Sequence, residues 1–368
     1  MTTGFFWDER TFWHAGGNYA MTLPLGGLVQ PLAAGGLPES PETKRRLKNL
    51  MDVTGITRDL DMRSADQATR AELERIHPAS YLDAFKSASD SGGGELGHHA
   101  PFAQGGYEIA ALSAGLATAA VRAVASGGLT NAYSLSRPPG HHCEPDKPMG
   151  FCLLSNIGIA VETAKAEGRI TRAVILDWDV HHGNGSETIF YDRDDVLTIS
   201  LHQESNYPLE TGALHDRGTG AGEGYNLNLP LPPGLGHEGY LHAIDTVVIP
   251  QIVAFNPDII IVACGYDCAM PDPLASMLAY TQTFRDMTTR IRQTADQVCD
   301  GKLVVVHEGG YSEVYVPFCG HAVLEALSGS EITAPDPLED VMIRRQPNAR
   351  ITGFHKQMID DMAAELGL

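Results

Sequence analysis

Four short runs in this chain are almost wholly apolar: Ala173-Val-Ile-Leu-Asp177, Val196-Leu-Thr-Ile-Ser200, Asp258-Ile-Ile-Ile-Val262 and Lys302-Leu-Val-Val-Val306. A strand with one face in water alternates apolar and polar residues. A strand apolar on both faces has to be covered on both, which is the condition of a parallel sheet between helical layers. Longer amphipathic or Ala-rich segments separate the runs, and helices are predicted near Tyr107–Ala125, Asn156–Ala166, His237–Phe255, Leu274–Cys299 and Tyr315–Leu327. The alternation is that of a doubly wound α/β fold. No repeat, low-complexity tract or linker interrupts Thr130 to Gly329, so one domain is expected despite 368 residues.

The first hundred residues read differently. They carry Gly16-Gly17, Gly26-Gly27, Gly35-Gly36, Pro38 to Pro41, a helix opened by Glu42-Thr-Lys-Arg-Arg46, then Gly92-Gly-Gly94 and His98-His99. Such segments serve as surface loops carrying specificity, or as plain connections. Twenty-six basic against 46 acidic residues leave a formal net charge of −20, which argues against nucleic acid or an anionic membrane as partner. The N-terminus lacks a basic region followed by an apolar one, and no apolar run is expected to reach the roughly 18–20 residues of a membrane span. Six scattered cysteines read as free buried thiols, and the spacing Cys264-x-x-x-Cys268 is only a weak metal or redox signal without a second pair. A cytoplasmic protein is the expectation.

Chemistry gathers just after the apolar runs, where α/β sheets hold their ligands. The densest segment is Asp177-Trp-Asp179-Val-His181-His182-Gly-Asn184-Gly. In an extended backbone Asp177, Asp179 and His181 project to one side, and such oxygen and imidazole donors suit Zn(II) or Fe(II). One Asp or His at a strand end can simply cap a helix; five such polar residues within eight positions are harder to explain that way. Arg137-Pro-Pro-Gly-His141-His142-Cys-Glu144 offers two histidines on a rigid turn, able to act as acid and base. Asp267, in Cys264-Gly-Tyr-Asp267, is positioned to complete a three-ligand metal site. Tyr311, in His307-Glu308-Gly-Gly-Tyr311, can donate to a bound carbonyl.

Together the RPPGHH, MGFC, DWDVHHGNG, GYD and EGGY segments resemble the zinc-dependent histone deacetylase superfamily, from about Tyr107 to Leu327 and more loosely back to Glu42. Asn184, where class I enzymes carry Asp, makes the chain similar to the class II branch and to bacterial deacetylase-like and acetylpolyamine amidohydrolases. The resemblance implies a single arginase-like α/β domain with a central, mainly parallel eight-stranded sheet and helices on both faces. Residues 1–105 would form the loop-rich channel rim, 106–330 the catalytic core and 331–368 a C-terminal tail and helix.

The same resemblance implies the roles. Asp179, His181 and Asp267 would bind Zn(II). His142 would be the general base and then acid, oriented by Asn184, with His141 and Asp177 in electrostatic support. Tyr311 would donate to the oxyanion. Gly150 and Phe151 would line a narrow channel opposite Tyr207, which replaces the family's usual Phe, and Cys143 stands where a small Ala is common. One structural potassium would use Asp177, Ser200 and the carbonyls of Asp179, His181 and Leu201. A second would use carbonyls of Phe190, Arg193, Val196 and Tyr225.

The implied activity is hydrolysis of N-acyl amides, with acetyl-lysine, an acetylated polyamine or another small or xenobiotic amide as substrate. The subunit contacts of bacterial relatives imply a homodimer or homotetramer. Two readings of other kinds stand beside this one. A non-catalytic zinc and acyl-ligand binding protein would be marked by loss of Tyr311 or His142, and both are present. A two-manganese, arginase-like hydrolase needs a further carboxylate where Asn184 stands.

Overall fold

The computed structural model describes residues 2–17, 19–24, 28–29 and 36–368. The glycines at 26, 27 and 35 lie outside the described residues. Eight strands form the central sheet: β1 (Thr3–Phe6), β2 (Leu60–Arg63), β3 (Asn131–Ser134), β4 (Ala173–Asp177), β5 (Val196–Gln203), β6 (Asn226–Leu231), β7 (Ile259–Cys264) and β8 (Leu303–His307). Their order is β6-β5-β4-β7-β8-β3-β1-β2, and every neighbouring pair is parallel.

The apolar runs are buried on both sides, as their composition demands. Val174, Leu176, Ile260, Val262, Leu303 and Val305 face a core closed by helices α1 (Pro41–Thr54), α5 (Thr281–Val298) and α6 (Val316–Ser328). Alternate residues, Ile175, Ile259, Ile261, Val304 and Val306, face a second core closed by α2 (Gly106–Ala125) and α3 (Asn156–Ala166). A short helix, α4 (Asn184–Phe190), follows the metal-competent segment.

Two expectations need correction. The helix read from Leu274 begins only at Thr281. Asp272 accepts a hydrogen bond from the backbone N–H of Leu274 at 2.9 Å, and the Tyr280 N–H donates to Thr283 Oγ1 at 3.2 Å, so turn and cap chemistry hold the preceding residues out of the helix. Residues 1–105 carry the helix expected near Glu42 as α1 and also supply β1 and β2. The expectation that no apolar stretch reaches span length also fails: α2 has 20 residues with a mean hydropathy of 1.4. It is 67% buried within the fold, as befits a core helix covering a parallel sheet.

The topology fixes where chemistry can occur. From β4 the chain moves outward to β5 and β6, then returns to β7 on the opposite side of β4. The winding therefore reverses between β4 and β7, and a crevice opens at their carboxyl ends. The segments that carry His141 and His142, Asp179 and His181, Asp267, and Tyr311 follow β3, β4, β7 and β8 and leave the sheet at this edge.

Arg137 ties the N-terminal segment to that edge. Its side chain is 1% exposed, with Nε donating to Glu39 Oε1 at 2.9 Å and Nη1 donating to the carbonyls of Thr11 and His14 at 3.1 and 2.9 Å. Lys44, also buried, lies 3.4 Å from Glu39. Arg137→Met should cost about 3–5 kcal/mol, because it removes the main partner of a buried carboxylate. A lowered denaturation midpoint checks this; an unchanged midpoint would show that Lys44 alone suffices.

Candidate active site

Asp179 and His181 follow β4, and Asp267 follows β7, so they face each other across the reversal point. Their ligand-capable atoms all lie within 4.8 Å of one another. His181 Nδ1 is 3.1 Å from Asp179 Oδ1 and 3.2 Å from Asp267 Oδ2. Ligands around a tetrahedral Zn(II) at about 2.0–2.2 Å are separated by about 3.3 Å. The spare oxygens are accounted for: Asp179 Oδ2 accepts from Gly309 N–H at 2.8 Å and Asp267 Oδ1 from Val180 N–H at 2.8 Å. Asp267 Oδ2, by contrast, is buried with no hydrogen bond. An orphaned buried oxygen beside an imidazole and a second carboxylate fits a divalent metal.

Two glycines make this approach possible. A Cβ on Gly265 would lie 2.1 Å from Asp179 Oδ2, and one on Gly309 would lie 2.2 Å from Asp267 Oδ2. Both glycines follow the ends of sheet strands, so the backbone closes directly over the carboxylates.

Asp177 does not join the three metal-competent side chains. The extended strand ends at this residue, and its carboxylate sits beneath, accepting from Asp179 N–H at 3.0 Å and lying 2.9 Å from His141 Nδ1. His142 Nδ1 is 2.8 Å from Asn184 Oδ1. The Asn184 amide donates to Glu144 at 3.0 Å, which fixes the orientation of the amide. The two adjacent histidines are thus held by different partners, and their proton affinities diverge. Burial and the positive neighbours His141 and His181 hold His142 well below the ordinary imidazole range. Burial also opposes charge on His141, but Asp179 and Asp177 outweigh it and push His141 up to about 10. Burial and the carboxylates of Asp267 and Asp179 push the Tyr311 phenol well above its usual range, so it stays protonated and can donate.

A cavity of about 240 Å³ reaches this centre from the surface. His142, His181 and Tyr311 line its inner part, and Gly150, Phe151 and Tyr207 its walls. Gly150 has φ +54°, and a Cβ there would meet His142 at 2.3 Å. The residues expected for potassium lie behind and beside the centre. Asp177 and Ser200 are register partners on β4 and β5, and Leu201 follows in β5. Phe190 ends α4, Val196 opens β5, and Arg193 lies between them. Tyr225 precedes β6 and its carbonyl accepts from Thr198 N–H at 3.0 Å.

Several contributors had no role in the sequence reading. Buried Glu308 accepts from the N–H groups of Gly140 and His141 at 2.6 and 3.2 Å, anchoring the His-pair turn to the end of β8. Asp272 accepts from Tyr311 N–H at 2.7 Å. Asn206, Leu274 and Thr22 line the cavity beside His99. Glu308 stands within a quoted motif and was legible as an acid near the site; the others sit on loops without local pattern. The cysteine pair forms no metal-competent group among the described residues, and Cys264 Sγ accepts from the Trp178 indole at 3.2 Å instead.

Known proteins share both sequence and shape. A family model described as the histone deacetylase domain matches residues 37–327. The chain is 54% identical over 366 residues to a histone deacetylase-like amidohydrolase of Pseudomonas aeruginosa, spanning 100% of this chain and 96% of that protein. It is 37% identical over 328 residues to a probable deacetylase of Archaeoglobus fulgidus, spanning 86% and 90% of the two chains. The crystal structure of the HDA15 HD domain superimposes with a TM-score of 0.80 at 29% identity, covering 99% of this chain and 98% of that one. A match of this extent, on the same parallel-sheet fold, makes the chain a member of the histone deacetylase family and an enzyme of its hydrolase class.

Proposed function

We propose that the chain hydrolyses N-acyl amides with zinc held by Asp179, His181 and Asp267. The observation that carries the reading is the convergence of these three side chains, with one Asp267 oxygen unpaired, on the same cavity as His142 and Tyr311. Zinc bound there supplies Lewis acidity toward an amide carbonyl and acidifies water. His142, neutral at its inner position, takes the proton of the attacking water and returns it to the departing amine. Asn184 holds the other ring nitrogen, so His142 presents Nε2 to the reaction. Tyr311 donates to the oxygen as it gains charge. His141, paired with Asp177, supports that charge from behind. The products are a carboxylate and a free amine.

Tyr311→Phe should lower kcat by roughly 10²–10³-fold while zinc stays bound, as expected for the loss of one oxyanion donor. Single-turnover kinetics with metal analysis check this, and undiminished turnover would remove Tyr311 from the mechanism. Asp267→Ala should instead lose the metal; full zinc occupancy by elemental analysis in that variant would contradict the ligand set.

Potassium belongs to the same reading. Asp177 and Ser200 border a small cavity of about 10 Å³ lined also by Asn226 and Asn228. It is about one water in size, and oxygen donors suit a hard cation. Exchange of potassium for lithium should lower the melting temperature, and an identical melt in both salts would exclude a structural potassium.

A further inference from the structure

His98 and His99 stand at the mouth of the catalytic cavity. His99 lines it together with Phe151 and Tyr207, and His98 is exposed beside it. The two imidazoles are in contact at a tilt, with centroids 3.9 Å apart and planes at 33°. Both are oriented near-parallel to the Tyr207 ring: His98 at 6.2 Å and 14°, His99 at 6.2 Å and 29°. Tyr207 in turn meets His142 edge-on at 5.1 Å. A wall of three rings therefore begins beside the general base and runs outward to solvent.

Backbone hydrogen bonds hold this wall. The N–H of His98 donates to Pro148 at 3.1 Å, and those of Gly150 and Phe151 donate back to the carbonyls of His98 and His99 at 3.0 and 2.8 Å. A Cβ on Gly97 would lie 1.8 Å from the Pro148 oxygen, so the two loops meet this closely only at glycine. Surfaces already fixed in place lose little freedom when a ligand arrives, which favours flat, rigid contact.

The mouth is also poor in partners for a cation. Among the described residues no carboxylate lines the cavity. Glu95, exposed in the same loop as the histidines, accepts from two neutral donors, the Tyr19 hydroxyl at 3.0 Å and the Ala100 N–H at 3.1 Å, and lies outside the cavity lining. An ammonium chain that passes into the cavity would lose hydration without meeting a carboxylate among the described lining residues. Burial and the neighbouring His98 hold His99 below the ordinary imidazole range, so it presents a neutral ring at pH 7.

Resting on the amide-hydrolase reading, we infer that the wall formed by His98, His99 and Tyr207 selects amides whose amine side carries a flat, uncharged aromatic ring. Such a ring stacks on the imidazole and phenol faces, whereas a polyamine finds no carboxylate among the described residues that line the cavity.

The test is a panel of three N-acetyl amines with the same propyl linker, ending in phenyl, cyclohexyl or ammonium. The phenyl amide should exceed the cyclohexyl amide in kcat/KM by roughly 2- to 12-fold, the range of aromatic pair energies beyond burial, and the ammonium amide should be the poorest. In His98→Ala/His99→Ala the phenyl-to-cyclohexyl ratio should fall to about one through KM, whereas His99→Phe should keep it. A ratio of one in the parent enzyme, a ratio untouched by the double variant, or a preference for the ammonium amide would overturn the inference. If the double variant does not fold, the parent ratio and His99→Phe decide. Equal turnover of all three amides would sink only the selectivity, whereas turnover of none, with zinc bound, would overturn the amide-hydrolase reading as well.

Discussion

Two buried carboxylates meet one imidazole at the reversal point of the sheet, and the surrounding architecture follows from keeping them there. Asp179 and Asp267 are wholly buried, and like charges at this range raise one another's proton affinity. Burial and Asp179 push Asp267 up to about 6, while His141 and His181 overcome burial to hold Asp179 far below its ordinary value. Such a cluster is costly in a dry core unless a cation or a dense set of donors compensates it. The fold supplies the donors from its own backbone: Val180 and Gly309 each present an N–H to one oxygen. What remains without a hydrogen bond is the Asp267 oxygen that faces the imidazole.

The parallel sheet explains why these groups can be assembled from distant parts of the chain. Parallel strands end at a common edge, so β3, β4, β7 and β8 release their following segments side by side. Glu308 then stitches the end of β8 to the His-pair turn after β3, and Asp272 stitches the loop after β7 to Tyr311 after β8. These buried acids do not meet a substrate. Burial pushes Glu308 up to about 7, and burial with the charge of Asp267 pushes Asp272 up to about 8. Their work is geometric: each converts a flexible loop into a fixed support for a side chain that faces the cavity.

The sequence exposed the parts of this design that are locally encoded. β4, β5, β7 and β8 were readable because strands buried on both faces are continuously apolar. β6 was missed because its two faces differ: Leu227, Leu229 and Leu231 enter the core, while Asn226 and Asn228 donate to Glu187 at 2.6 and 2.7 Å. β2 lies at the opposite edge of the sheet, and β1 and β3 are four-residue strands containing Thr3, Asn131 and Ser134. None has enough residues for a period to show. The metal-competent triad was readable because each member follows an apolar run. The supports were not, because Asp272, Glu144 and Glu39 act through loop backbone and tertiary contact, which leave no periodic trace.

The net charge of −20 argues only against polyanionic partners, and the distribution of that charge decides what it means at the cavity. The acids closest to the centre are engaged inward: Asp177 with His141, Glu308 with the backbone of the His-pair turn, and Asp272 with Tyr311 and Leu274. Outside them, many carboxylates are taken up in surface pairs such as Arg122 with Glu167 and Arg193 with Asp195. Between these two layers the cavity has walls of Phe151, Tyr207 and His99, whose ring faces offer polarisable surface and no formal negative charge. Whole-molecule charge acts over a Debye length and affects encounter. Selection inside a half-dry channel depends instead on the groups within contact distance, and there rings predominate, with Thr22, Asn206 and Leu274 beside them.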